Sequence, residues 1–420
     1  MYINDIKLQN FRTFQDERVT FVHPDQNFKK LGIPKPKLSN INLLLGNNGS
    51  GKSALLKAIS LVALGPAVSD SGIFPYRLVR RTPVINKAAK SSKADFVENT
   101  AILEATFTPH EQDDVPKRVK TVESKVQISQ IEDLERLIWI HGDDKSWHPV
   151  FSASSDAFFM VGYGATRRTE TQKSVDFSSR NSNAFARAQR VRGLFEDSYS
   201  LIPLESWLPQ YKNKGRYSQV VKLINRLLGE GSFTFAGEME KGDFLFKRNG
   251  FKIPFPAMSD GYRAFLGWVG DLLYHVCQTC PPGKRLDENK GIIMIDEIDL
   301  HLHPKWQMTI LPTLAQHLPQ IQFIVTSHSP LIVGSLEWMN IIYMSPELEQ
   351  SASKPVRLET SVNGLDADQV LLTDFFGLTS TRAESKKSAL KDLSLRASEG
   401  NLEAARELLT QMTKGMETVK

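Results

Sequence analysis

The sequence predicts an α/β fold built around a mostly parallel β-sheet, and three apolar segments support this prediction. Ile41–Leu45 is followed by a glycine-rich loop and an apolar helix that begins near Ala54. Gly291–Ile295 is a continuous apolar run, and Ile321–Val325 is a further apolar strand that contains one polar residue, Gln322. Runs without polar alternation are typical of strands that are buried on both faces of a parallel sheet. We therefore expect all three runs in one sheet, with a ligand site at their carboxyl ends.

The loop after the first of these strands reads Gly46-Asn-Asn-Gly-Ser-Gly-Lys-Ser53 and fits the pattern G-x-x-x-x-G-K-S. Its glycines allow backbone N–H groups to surround a β-phosphate, and the N-terminus of the next helix favours negative charge. We expect Lys52 to reach the β- and γ-phosphates and the Ser53 hydroxyl to ligate Mg²⁺. The residues expected at the nucleotide are Asn47, Asn48, Gly49, Ser50, Gly51, Lys52 and Ser53. The loop predicts a nucleoside triphosphate site, and an ordinary glycine-rich turn is the alternative.

Polar residues follow the other two predicted strands. Asp296 and Glu297 come directly after Gly291–Ile295, and His328 follows Ile321–Val325. We expect Asp296 to hold Mg²⁺ directly or through water, and Glu297 to polarise the attacking water as a general base. If both strands join one sheet, His328 would lie beside these acids and hydrogen-bond the γ-phosphate. The alternative is a pair of solvated acids and a structural histidine.

A predicted helix start precedes the strand that ends at the two acids. Ser259 stands just before the apolar stretch Ala264–Tyr274 and fits an N-cap, whose hydroxyl accepts from the first free amides of the helix. The same helix N-terminus can instead face a phosphate. The segment alone favours a capped core helix, and its position before the acidic strand favours a phosphate contact.

The order of these segments resembles the ABC-type ATPase head of the SMC/RecF/OLD group. Heads of that group dimerise head to tail, and the Ser-x-Gly element of one protomer completes the ATP site of the other. The resemblance implies ATP and Mg²⁺ as cofactors, ATP hydrolysis as the activity, and a contact in trans from Ser259, Asp260 and Gly261 to the γ-phosphate. The family pattern is Leu-Ser-Gly-Gly-Gln, from which Met258, Asp260 and Tyr262 depart. An aspartate beside a phosphate is repulsive unless it is paired or points away.

Two further segments resemble the same group. Ile6–Phe14 is similar to the start of RecF and SMC heads, which implies that Arg12 lies near the adenine and phosphates. An alternating strand with a surface arginine is the alternative. Leu302-His-Pro304 is similar to a segment of the OLD-like branch, and we expect it in a loop between protomers.

The family places a glutamine after the strand that begins its inserted lobe. In this chain Tyr163 occupies that position, after the predicted strand Ala157–Gly162. Glycines at this point predict a close approach of backbone. Arg167 and Arg168, which follow, fit either a phosphate or acidic surface or a solvated helix start.

Composition agrees with a globular protein of 420 residues, with 41% hydrophobic and 24% charged residues. No apolar run approaches the roughly 20 residues that span a bilayer. With two cysteines no disulfide framework is expected, so we predict a cytoplasmic protein without a membrane partner. Cys277 and Cys280 are spaced as C-x-x-C, but no second pair of ligands accompanies them. Structural cysteines are therefore favoured over metal or redox chemistry.

We expect four segments. Residues 1–165 form the first half of the ATPase head, with the P-loop and an antiparallel β subdomain, and residues 166–250 form a helical insertion lobe. Residues 251–350 form the second half of the head, and residues 351–420 form a helical tail that docks a partner. The insertion lobe contains more basic than acidic residues, which fits a solvated face or an edge that binds duplex DNA.

The tail is similar in kind to those of the ATPase (PtuA-like) subunits of antiphage Septu and related retron modules. This resemblance implies a dimer or larger homo-oligomer that regulates an HNH nuclease as its effector in antiphage defence, with a retron reverse transcriptase and its msDNA as a further partner. The alternative is a RecF-like DNA-binding ATPase of repair or recombination. Because no clear cluster of acids follows Ser329, no nuclease site is expected in this chain.

Overall fold

The computed structural model describes residues 1–80, 100–131, 134–142, 144–152, 155, 157–169, 186–229, 233–347, 352–381 and 384–413. The chain divides into two units, Met1–Gly364 and Leu365–Lys420. Part of the basic stretch of the insertion lobe, residues 170–185, lies outside the described residues.

Strands and helices alternate along most of the first unit. The strands of the described ranges are β1 (Tyr2–Phe11), β2 (Phe14–Thr20), β3 (Ile41–Leu45), β4 (Thr100–Thr108), β5 (Val122–Ile131), β6 (Leu134–Gly142), β7 (Met160–Tyr163), β8 (Arg168–Thr169), β9 (Ser200–Leu201), β10 (Thr234–Glu240), β11 (Asp243–Arg248), β12 (Phe251–Pro254), β13 (Gly291–Ile295), β14 (Ile321–Thr326), β15 (Ile341–Glu347) and β16 (Ala352–Val356). The α-helices of the same ranges are α1 (Phe28–Leu31), α2 (Lys52–Ala63), α3 (Asp144–Trp147), α4 (Ala186–Gln189), α5 (Leu204–Trp207), α6 (Gly215–Leu228), α7 (Asp260–Thr279), α8 (Pro304–His317), α9 (Pro330–Gly334), α10 (Ala367–Leu371), α11 (Glu384–Ser398) and α12 (Leu402–Thr413).

The central sheet has the strand order β16-β15-β3-β14-β13-β7. All neighbouring pairs from β15 to β7 are parallel, and β16 is an antiparallel edge strand. Ile295 is in register with Val325 on one side and with Tyr163 on the other, so the carboxyl ends of these three strands meet. The predicted α/β fold with a mostly parallel sheet is confirmed, and the three apolar runs lie side by side in it.

An antiparallel sheet of order β2-β1-β4-β5-β6 covers the P-loop helix α2. Leu55 and Ile59 of α2 are fully buried in one cluster with Leu103 and Val126 of this sheet. Burying large aliphatic side chains of this kind contributes about 1.5–3 kcal/mol each. This packing fixes the helix whose N-terminus faces the cleft described below.

The structure corrects the predicted helical lobe. Strands β10, β11 and β12 form an antiparallel meander inside and just beyond the range predicted as helical. Phe235, Phe244 and Phe246 are buried in it, and the Asn225 side chain of α6 bonds both the N–H and the C=O of Phe235. Phe233 and Phe235 are buried on either side of the exposed Thr234, a period of two that indicates a strand.

The predicted boundary at residue 351 also needs correction. Strand β16 follows it and pairs with β15 from Tyr343↔Val356 to Glu347↔Ala352. A paired strand belongs with the sheet that satisfies its backbone hydrogen bonds. The first unit consequently extends to Gly364.

The second unit contains α10, α11 and α12. Helices α11 and α12 are separated by a break at Gly400, whose φ of +92° favours glycine. Leu393 and Ala404 are buried, whereas Leu395 and Leu402 are 61% and 80% exposed. In the part of the chain that the structure describes, every helix falls short of the length and hydrophobicity needed to cross a membrane.

Candidate nucleotide-binding site

The glycine-rich loop joins β3 to α2 and is packed against the turn between β1 and β2. Gly51 adopts φ +93°, and a Cβ there would clash with the Thr13 hydroxyl and lie 2.8 Å from the Phe14 ring. The loop therefore needs glycine both for its left-handed backbone and for this close approach. The result is a tight turn that leads directly into the N-terminus of α2.

Lys52 is the first residue of α2 and is buried. Its Nζ donates to the carbonyls of Gly46 at 2.8 Å and Asn47 at 2.9 Å. Burial lowers the pKa of Lys52, and the carboxylates of Asp296 and Glu297 oppose that shift. The ammonium thus lies between its own loop and the two acids, where it can exchange carbonyl partners for phosphate oxygens.

A cleft of about 430 Å³ lies over the loop and the strand ends. Nine of the sequence-predicted site residues line it: Arg12, Asn48, Gly49, Gly51, Lys52, Ser53, Asp296, Glu297 and His328. Thr13, Ala54 and Lys57 also line it and were missed by the sequence reasoning. Asn47 and Ser50 belong to the loop but are not among the lining residues. The cleft brings together segments that are far apart in the sequence.

Two hydroxyls near this loop have no hydrogen-bond partner. Thr13 Oγ1 and Ser50 Oγ are both buried and unsatisfied within the described structure. Buried hydroxyls are normally hydrogen-bonded, because leaving one unpaired costs about 1–3 kcal/mol. Unsatisfied groups at the loop fit a site that receives a polar ligand.

Thr326 holds the turn that carries the two acids. Its hydroxyl donates to Asp296 Oδ1 at 2.7 Å and accepts from the Glu297 N–H at 2.7 Å. Glu297 has φ 47°, a left-handed conformation that is uncommon for residues other than glycine. Asp296 is buried, and Glu297 is partly exposed to the cleft. The sequence reasoning missed Thr326, although its position directly after a buried strand was visible.

Arg167 contacts the same turn from another side. Its Nη1 donates to the Asp296 carbonyl at 2.7 Å and its Nη2 to the Glu297 carbonyl at 2.8 Å. Burial lowers the pKa of Arg167, and Asp296, Asp299 and Glu297 oppose the shift. Of the interpretations that the sequence left open, the acidic surface fits Arg167 best, because it lies beside Asp296 and Glu297 and bonds their main-chain oxygens.

Tyr163 occupies the position of the family's glutamine and lies at the end of β7. Its hydroxyl donates to Asp271 Oδ2 at 2.7 Å, and its carbonyl accepts from the Asp296 N–H at 2.8 Å. Asp271 also accepts from the Ile202 N–H at 2.8 Å and is fully buried in α7. The predicted close approach is present at Gly164, where a Cβ would clash with the Gly193 carbonyl.

His328 follows β14 and lines the cleft with the acids and Lys52. Burial and the Lys52 ammonium lower the pKa of His328, whereas Asp299, Glu297 and Asp296 oppose the shift. A lowered pKa keeps the imidazole neutral at neutral pH. A neutral ring can donate one hydrogen bond and accept another.

Ser259 lies outside this cleft and corrects one expectation. It is the N-cap of α7, with φ −64° and ψ 156°, but its hydroxyl makes no capping hydrogen bond. Ser259 and Asp260 are both exposed, and Asp260 forms an ion pair with Arg263. A Cβ on Gly261 would lie 3.2 Å from the His301 carbonyl. The helix start therefore presents polar groups outward.

Cys277, Cys280, His301 and His303 are the other side chains with metal-binding chemistry that the sequence brings into question. Cys277 and Cys280 are buried, and burial raises the pKa of Cys277 to about 12. A thiol with so high a pKa is protonated and unreactive at neutral pH. His301 and His303 are exposed, and within the described ranges no cluster of three or more His, Cys, Asp or Glu side chains could hold a metal ion.

Comparison with known proteins gives several relatives of modest identity. The Septu protein PtuA of Bacillus mycoides (strain KBAB4) is 24% identical over 384 residues, which cover 90% of this chain and 45% of that protein. The Retron Vc95 probable ATPase of Vibrio cholerae is 24% identical over 74% of this chain and 70% of that protein. The Retron Ec83 probable ATPase of Escherichia coli is 34% identical over 115 residues. The resemblance to ATPases of Septu and retron modules is thereby confirmed.

The chain spans less than half the length of the Septu relative. Among solved structures, a crystal structure of the SmcHead bound to the C-winged helix domain of ScpA has a TM-score of 0.50 and 16% identity. It covers 85% of this chain and 98% of that chain, which confirms the predicted fold of an ATPase head.

The residues matched by a family model include all the residues that line the cleft except Arg12 and Thr13. The profile described as "AAA domain, putative AbiEii toxin, Type IV TA system" matches residues 41–334. That range begins with β3 and ends with α9, so it includes the glycine-rich loop, the acidic strand end and His328. This protein belongs to that family of AAA ATPase domains.

Proposed function

We propose that this chain binds and hydrolyses Mg²⁺-ATP, and that two copies complete each other's sites. The observation that carries the proposal is the single cleft lined by Lys52, Ser53, Asp296, Glu297 and His328. These are the residue types that bind phosphates, ligate Mg²⁺ and activate water in P-loop ATPases. The family assignment of residues 41–334 supports the same activity.

The donor set fits Mg²⁺. The Ser53 hydroxyl and the Asp296 carboxylate line one cleft, and oxygen ligands of this kind are those that Mg²⁺ prefers. When bound, the ion would neutralise charge on the phosphates. Asp296 Oδ1 is already held by Thr326, which fixes the carboxylate toward one orientation.

The remaining residues have separate roles in the proposal. Lys52 leaves the carbonyls of its own loop and binds phosphate oxygens. The Glu297 carboxylate orients a water molecule and accepts its proton as the oxygen attacks the γ-phosphate. Neutral His328 hydrogen-bonds the γ-phosphate from the other strand end.

We infer a second copy because the start of α7 does not line the cleft of its own chain. The residues concerned are Ser259, Asp260 and Gly261. The outward-facing start of α7 supports a head-to-tail arrangement, in which the Ser259 hydroxyl contacts the γ-phosphate of the partner's nucleotide. The Asp260–Arg263 ion pair lowers the repulsion that a free carboxylate would exert there.

A Glu297→Gln variant tests hydrolysis directly. We expect ATP turnover to fall by about 10²–10⁴-fold, because the amide cannot accept the proton. Binding of a fluorescent ATP analogue should persist, and ATP should stabilise a dimer in size-exclusion chromatography. The matched control is Glu111→Gln, since Glu111 is exposed and outside the cleft. Parental turnover in the Glu297 variant would show that the base has been misassigned.

The proposal extends to antiphage defence in the cytoplasm. The relatives named for Septu and retron systems support a role as the ATPase component of such a system. We propose that the chain controls an HNH nuclease as the effector, with a retron reverse transcriptase and its msDNA as a further partner. The exposed leucines Leu395 and Leu402 of the second unit suit the docking of such a partner. Phage challenge of cells that carry the full gene cluster should show protection that Glu297→Gln changes. If turnover instead depends on duplex DNA with a steep salt dependence, a RecF-like repair role is favoured.

A further inference from the structure

The turn that carries Asp296 and Glu297 is held on its main chain from two sides. The Thr326 hydroxyl accepts a hydrogen bond from the Glu297 N–H at 2.7 Å, and the Thr326 carbonyl accepts one from the Ile298 N–H at 3.0 Å. Arg167 donates to the carbonyls of Asp296 and Glu297 at 2.7 and 2.8 Å. Both contacts lie on the peptide units that set the direction of the Glu297 side chain.

The shape of the Arg167 side chain suits these two acceptors. A guanidinium is planar and presents its N–H donors in a rigid fork, so two neighbouring carbonyls can be bound together. Glu297 has φ 47°, and a left-handed backbone of this kind is kept only where neighbouring contacts hold it in place. Arg167 supplies part of that support while the Glu297 carboxylate stays directed at the cleft.

Arg167 is itself connected to α7 through the residues just before it. Tyr163 accepts from the Asp296 N–H through its carbonyl and donates through its hydroxyl to Asp271. Asp271 belongs to the helix that begins after Ser259. The short segment from Tyr163 to Arg167 therefore touches both the acidic turn and the helix of the outward-facing serine.

We propose that Arg167 is a positioning residue for hydrolysis, which holds the turn so that the Glu297 carboxylate meets the attacking water. This inference rests on the proposed ATPase function. It assigns to Arg167 a role through the main chain of the turn, without contact to nucleotide. Its loss should therefore affect the chemical step more than nucleotide binding.

The test compares Arg167→Met, Arg167→Lys and the control Arg168→Met. Arg168 is exposed and adjacent in sequence, so its replacement removes a similar charge without touching the turn. We expect Arg167→Met to lower kcat by about 100-fold, because small misplacements of a catalytic group have effects of that size. KM and the affinity for a fluorescent ATP analogue should stay within about twofold. Arg167→Lys should recover part of kcat, since an ammonium can still bind a carbonyl, and Arg168→Met should match the parent.

A second readout does not depend on turnover. Amide hydrogen exchange in the peptide that contains Ile298 and Leu300 should be faster in Arg167→Met. The Ile298 N–H is bonded to the Thr326 carbonyl and the Leu300 N–H to the Glu297 carbonyl, which Arg167 also binds. Unchanged exchange would overturn the proposal. So would an unchanged kcat in Arg167→Met beside an active parent, or a loss of nucleotide affinity equal to the loss of kcat. If the parent itself fails to hydrolyse ATP, the proposed function fails, while the exchange experiment still decides whether Arg167 holds the turn.

Discussion

The acidic turn and the start of α7 differ in how far one chain satisfies their polar groups. At the turn, Thr326 and Arg167 bond the main chain and Asp296 Oδ1. At the helix start, the Ser259 hydroxyl makes no capping bond and Ser259 is exposed. A single copy thus supports the acidic turn with its own side chains. The Ser259 hydroxyl is open to solvent, and under the proposed function it is available to a second copy.

The largest expected effect is the recovery of ATP turnover when two inactive variants are mixed. Lys52→Ala and Ser259→Arg should each lose about 10²-fold or more of ATP turnover. The first removes the ammonium from the phosphates, and the second places a large side chain where the Ser259 hydroxyl would contact the γ-phosphate. In a head-to-tail dimer, one mixed pair contains one intact site. An equal mixture should therefore recover roughly a quarter of the parental turnover, if sites act independently in a symmetric dimer.

The measurement is steady-state phosphate release across a series of mixing ratios. Each variant alone, at the same total concentration, provides the baseline. A mixture that never exceeds this baseline would mean that Lys52 and Ser259 act within one chain or not in the same site. The start of α7 would then not complete the site of a second copy.

A smaller effect separates a capping serine from a contacting serine. Replacing an N-cap serine by alanine typically costs about 1 kcal/mol of stability. Ser259→Ala should cost less than about 0.5 kcal/mol, because its hydroxyl makes no capping bond. Its ATP turnover should nevertheless fall about tenfold, since one hydrogen bond to a charged group is lost.

Ser329→Ala is the matched control in urea unfolding. Ser329 is the N-cap of α9, where its hydroxyl accepts from the Leu331 N–H and donates to Gln307. That variant should lose at least about 1 kcal/mol of unfolding free energy. Equal losses of stability in the two variants would indicate that Ser259 caps its helix in solution.

The smallest expected effect concerns the electrostatics of the cleft. The Lys52 ammonium is one cause of the lowered pKa of His328, so Lys52→Met should raise that pKa. Removing a nearby positive charge favours the protonated imidazole, and a shift of up to about one pH unit is reasonable for a partly screened pair. NMR titration of the His328 ring measures it, with Lys57→Met as the control because Lys57 is not a cause of the shift. An unchanged His328 pKa in Lys52→Met would mean that the Lys52 ammonium lies too far from the imidazole to affect it.

Much of the cleft was predictable from local sequence patterns. The glycine-rich loop and the two acids stand directly after the apolar strands β3 and β13, and His328 stands two residues after β14. Parallel strands bring such carboxyl ends together, so three short patterns were enough to assemble one site. The fold class followed from the same runs.

The support of the site was not predictable in that way. Arg167 is 129 residues before Asp296, and no local pattern reveals a bond across that distance. The meander of β10 to β12 was missed, although the spacing of Phe233 and Phe235 around Thr234 has the period of a strand. The lack of a cap bond at Ser259 depends on the rotation of one hydroxyl-bearing side chain, which sequence does not specify.

The contacts of Lys52 with its own loop bear on how a nucleotide would leave the cleft. Because its ammonium rests on the Gly46 and Asn47 carbonyls, the amine has bonding partners whether or not phosphate is present. Under the proposed function, departure of the product would return the side chain to these carbonyls and leave no buried ammonium without a partner. We therefore expect the empty state to be stabilised, which would favour exchange of spent for fresh nucleotide.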